Sequence, residues 1–73
     1  MKITYDKETD ALYIYLLEGE FQRKAVRLTD EITLDFGEGE RLAGIEILDA
    51  KNILGKGELP TIVVENLPMQ VAA

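Results

Sequence analysis

A chain of 73 residues and 8.2 kDa holds one small core, burying only about 60% of the surface its unfolded form exposes, so a lone copy is marginally stable. It has no Cys, His, Ser or Trp, which excludes disulfides, zinc sites built on Cys or His, a histidine general base and the two commonest nucleophiles. Fourteen acids against eight bases give a net charge of −6, all of it arising in residues 29–73, and so acidic a chain lacks the basic stripe needed for nucleic acid or an anionic membrane.

Period-two alternation dominates and predicts short strands. Ile3 and Tyr5 alternate with Lys2, Thr4 and Asp6 as a first strand, and Ala11 to Leu17 read as a second. A register with Tyr5 opposite Leu12 and Ile3 opposite Ile14 joins them through Lys7-Glu8-Thr9-Asp10. Val26 and Leu28 suggest a third strand. Ile32, Leu34 and Phe36 form a fourth, with the cleanest alternation in the chain. Residues 41–48 make a fifth, with Ala43, Ile45 and Ile47 on one face. Gly37-Glu38-Gly39-Glu40 supplies the turn between these two, because glycine takes the positive φ of a tight turn. Pairing residues whose numbers sum to 77 sets Ile32 opposite Ile45 and Leu34 opposite Ala43, but it also brings Glu31 against Glu46. A bound cation, a raised carboxyl pKa or a two-residue shift placing Thr33 against Glu46 would each relieve that repulsion.

Asp49 as N-cap, Ala50 to Leu54 and Gly55 as terminator predict one helical turn. Thr61 to Glu65 is a possible sixth strand. The fold class expected is therefore mostly β: an antiparallel meander of five to six short strands with one short helical turn near 49–55. Residues 1–66 make a single small domain. Residues 67–73 form a tail that is frayed or docked on a partner.

Four acids are candidate metal ligands: Asp6, Asp10, Asp35 and Glu46. Asp6-x-Glu8-x-Asp10 has the 1-3-5 oxygen spacing of a calcium loop but lacks its glycine at the sixth position and its acid at the twelfth. A hairpin loop whose Asp side chains bond their own backbone explains the same residues. Asp35-Phe36-Gly37 spells the kinase magnesium tripeptide, yet no other kinase element accompanies it in so short a chain. No catalytic residue and no cofactor follow from these patterns. Tyr13, Tyr15 and Leu17 stand opposite Leu12, Ile14 and Leu16 on the second strand, leaving both faces apolar or amphipathic. Either the protein's own helix or tail covers the tyrosine face, or a subunit interface does. With the apolar tail residues Leu67, Met69 and Val71, these side chains are the interface candidates.

Tyr5-Asp6-x-Glu8-x-Asp10-Ala11-Leu12-Tyr13-Ile14, then Leu34-Asp35-Phe36, then Gly44-Ile45-Glu46-Ile47-Leu48-Asp49-Ala50, resembles the small prokaryotic family known as domain of unknown function 2283. The resemblance covers roughly residues 1–50. It departs at the turn, where family members often carry Asp-x-Asp before glycine and this chain has Asp35-Phe36-Gly37. It implies no activity and no catalytic residue. Members stand alone as small domains and are sometimes encoded beside small toxin-like proteins, which implies that the chain binds a protein partner in an antitoxin-like role.

These readings converge on a cytoplasmic binding or assembly module, most simply a homodimer, with a protein partner and with neither nucleic acid nor membrane. The alternative is a divalent-metal-dependent enzyme working through Asp6, Asp10, Asp35 or Glu46. No apolar run reaches the length of a membrane span or a signal core.

Overall fold

Each of the first five alternating runs becomes a strand: β1 (Lys2–Asp6), β2 (Ala11–Tyr15), β3 (Lys24–Arg27), β4 (Ile32–Phe36) and β5 (Leu42–Ile47). A 3-10 turn at Glu38–Glu40 links β4 to β5, and a helix, α1 (Ala50–Leu54), follows. The computed structural model describes residues 1–17 and 23–65. All pairings are antiparallel, in the order β1-β2-β5-β4-β3. The β1–β2 hairpin thus lies beside the β3–β4–β5 unit, and β5, flanked on both sides, carries the buried Ala43, Gly44 and Ile47.

Register puts the apolar residues into two rows across one face. Tyr5, Leu12, Ile47 and Ile32 make the first row, and Ile3, Ile14, Ile45, Leu34 and Val26 the second. Helix α1 covers the first row through Ala50, which packs with Leu12 and Ile47. The second row has less cover, and Ile3 is 42% exposed. An apolar groove of about 360 Å³ opens there, between Ile3, Tyr5 and Ile14 on the sheet and Leu54, Leu59 and Ile62 beyond it.

Several local expectations need correction. The β4–β5 register sums to 79, the two-residue shift that sets Thr33 against Glu46, so Ile32 faces Ile47 in place of Ile45. The two-residue shift separates Glu31 from Glu46 and leaves the Glu31 carbonyl to accept from Leu48 N at 2.8 Å. A bulge at Asp35/Phe36 then brings Phe36 opposite Leu42. In the connecting turn Gly39 does take positive φ (68°), and Glu40 follows it at 60°. Strand β2 stops at Tyr15, because Leu16 N and Leu17 N both converge on the Ala43 carbonyl. Strand β3 stops at Arg27, and Leu28 and Thr29 enter a turn closed on Ile32. Thr61 to Glu65 forms no sixth strand: the segment is exposed and lies outside the sheet.

The helix lies where expected, but Asp49 does not cap it with its side chain. Asp49 is left-handed (φ 52°) and accepts from Asn52 Nδ2 at 3.1 Å. Asp10 supplies the cap from the β1–β2 turn: its carbonyl accepts from Ala50 N at 3.0 Å and its carboxylate from Lys51 N at 3.3 Å. At the other end Gly55 is extended (φ −141°). Glycine is required there because an added Cβ would lie 1.9 Å from the Glu58 carbonyl oxygen. Among the described residues no helix is long and apolar enough to cross a membrane.

Candidate functional site

The sheet face away from α1 carries most of the polar strand positions together with Tyr13 and Tyr15. One row runs Thr4, Tyr13, Glu46, Thr33 and Arg27; the next runs Lys2, Tyr15, Gly44, Asp35 and Ala25. Tyr13 leans over Gly44 of the central strand and donates a hydrogen bond to Asp35 Oδ2 on the strand beyond. Only glycine admits that path, since a Cβ at position 44 would lie 2.3 Å from the Tyr13 hydroxyl. Arg23 Nη1 donates to the same hydroxyl at 3.3 Å, so Tyr13 Oη accepts from a cation and donates to a carboxylate.

Partial burial, then the bond to Asp35, push the Tyr13 phenol up to about 12, because both favour the neutral form. Tyr15 packs beside it, ring centroids 4.4 Å apart and tilted by 56°. The Lys2 ammonium sits 4.5 Å from the Tyr15 ring centroid, in reach of a cation–π attraction. This face therefore offers two half-buried tyrosines among charges of both signs, Asp35 and Glu46 with Lys2, Arg23 and Arg27 around them.

The four candidate metal ligands divide between two places. Asp35 and Glu46 share the tyrosine face. Asp6, the last residue of β1, and Asp10, at the end of the β1–β2 turn, are each already engaged: Asp6 Oδ1 accepts from Glu8 N at 2.9 Å, and Asp10 Oδ1 accepts from the Tyr5 hydroxyl at 2.8 Å besides capping α1. The Asp10 bond is the leading cause that raises the Tyr5 phenol above its ordinary value. The calcium-like spacing thus builds a turn and a helix cap. Among the described residues no three acids converge as a metal site would require.

Tyr13 and Tyr15 share this face as expected, and Leu17 follows just beyond β2. Leu67, Met69 and Val71 lie outside the described residues. The reading of the sequence missed Gly44 and Arg23. Gly44 had a signal, since a glycine inside an otherwise apolar strand marks a close approach; Arg23, flanked by Lys24 and Arg27, had none.

Residues 2–51 match the family described as "Protein of unknown function (DUF2283)". The chain is also similar to "Uncharacterized protein MJ0789" of Methanocaldococcus jannaschii, 43% identical over 53 residues. That match takes in 73% of this chain and 44% of the archaeal protein, so the chain spans under half the length of its relative. No solved structure matches significantly.

Proposed function

The chain belongs to the DUF2283 family, and from that premise we propose that it is a homo-oligomeric assembly module that presents its tyrosine face to a protein partner. One observation carries the self-association: the shortage of core. Among the described residues the buried apolar side chains are Leu12, Ala43, Ile47 and Ala50, two of them alanines, while Ile3, Leu28, Ile62 and Val63 are between 42% and 69% exposed. A domain with so little buried apolar area gains stability by covering the remainder with another copy.

The chain's net charge of −6 favours a basic partner, bound in the manner of a small antitoxin, and Tyr13 and Tyr15 offer it a contact. Mass action supplies the test. Linked folding and assembly make the melting temperature rise with protein concentration, whereas a self-sufficient monomer melts at one temperature throughout. A concentration-independent melt contradicts the self-association reading. For the partner face, tyrosine fluorescence, free of any Trp background, should change on adding a lysine-rich peptide at low salt. An unchanged signal counts against a basic partner.

A further inference from the structure

We propose that two copies of this chain join edge to edge through β1, in an antiparallel pairing centred on Thr4; this rests on the self-association reading above and names its contact. The sheet has two edges, β1 and β3. An edge strand shows unpaired N–H and C=O groups to any strand that reaches it, and charge of one sign or proline blocks that approach. Strand β3 is guarded: Lys24 and Arg27 lie on it and Arg23 precedes it, so a second β3 would bring cation against cation. Strand β1 is not. Its sequence, Lys2-Ile3-Thr4-Tyr5-Asp6, is complementary to itself when reversed.

A two-fold axis through Thr4 sets Lys2 opposite Asp6 of the other copy and Ile3 opposite its Tyr5. Every pair keeps to its own face: Lys2, Thr4 and Asp6 on the tyrosine side, Ile3 and Tyr5 on the apolar side. Sliding the pairing by two residues either way shortens it and loses both ion pairs. Lys2 and Asp6 are four residues apart on one extended strand, about 13 Å, so they do not pair within one chain. The apolar side supplies the second argument. Ile3 and Tyr5 line the groove of about 360 Å³, so the pairing runs the grooves of both copies together across the axis and covers Ile3, 42% exposed in the single chain. A β1–β3 contact is heterologous and would grow into open filaments; β1 against β1 closes as a dimer.

The absence of cysteine makes the geometry directly testable. Opposed residues in an antiparallel pair have Cα atoms about 4.5–5.5 Å apart, within disulfide reach. Thr4→Cys, at an exposed position, should therefore cross-link under mild oxidation to a species of twice 8.2 kDa in denaturing gels, while the control Ala25→Cys on β3 should not. Lys2→Asp should weaken the dimer about tenfold, by setting Asp against Asp at both ends of the pairing, and adding Asp6→Lys should restore it. A dimer by mass that neither cross-links at position 4 above the control nor recovers with the double exchange overturns the β1 contact and leaves self-association standing. A monomer by mass overturns both.

Discussion

Tyr13 of β2 hydrogen-bonds to Asp35 of β4 across Gly44, a residue of the strand between them. One side chain thereby ties the β1–β2 hairpin to the β3–β4–β5 unit on the face opposite α1. On the other face Asp10 makes an equivalent tie, linking the β1–β2 turn to α1 and to Tyr5. The acidic and aromatic residues that carry the family resemblance do structural work at both points.

Alkaline titration should register the first tie. Tyr13 ionises near 12 in the folded protein and near 10 once unfolded. Its folded pKa is the higher, so the stability it contributes is complete below about pH 10 and is lost as pH rises through about 12. Tyrosinate absorbance at 295 nm should show a step near pH 12, and Tyr13→Phe should abolish that step.

Gly44→Ala should bring the Tyr13 step back toward pH 10. The new methyl occupies the path of the ring and separates the hydroxyl from Asp35. A titration unchanged by the substitution would show that the bond does not depend on the glycine.

The Asp10 cap predicts an order of effects at the helix. Asp10→Ala removes the side-chain acceptor for Lys51 N and for the Tyr5 hydroxyl, and places alanine at φ 53°. A cost of about 0.5–2 kcal/mol is expected in urea unfolding, at the upper end of that range. Asp49→Ala also places alanine in the left-handed region (φ 52°) but loses only the one side-chain bond from Asn52, so it should cost less.

Ile47 lies in the core, 7% exposed, with Leu12 and Ile32 opposite it on either side. Ile47→Ala should cost about 2–5 kcal/mol, much of what so small a domain possesses. Loss of the cooperative thermal transition at ordinary temperature is the expected result.

The strands and the helix were legible because period-two alternation and turn residues act locally, and the β1–β2 register followed from matching Ile3 and Tyr5 to Ile14 and Leu12. The β4–β5 register was less so: 77 and 79 satisfy the same parity, and the choice falls on the contact between Glu31 and Glu46 that only the shift avoids. Asp10 as the helix cap was out of reach, since it lies about 40 residues from the helix and meets it only after β2 and β5 have paired. The tyrosine face was half legible. Alternation put Tyr13 and Tyr15 together, whereas the bond to Asp35 required strand order, which no local pattern contains.

Sedimentation equilibrium of the full chain at micromolar concentration and physiological salt tests self-association most directly. At that salt the Debye length is about 8 Å, so the six excess negative charges on each copy repel only near the contact. The expected mass is twice 8.2 kDa, falling toward a single chain on dilution. A mass of 8.2 kDa across the whole concentration range would contradict it.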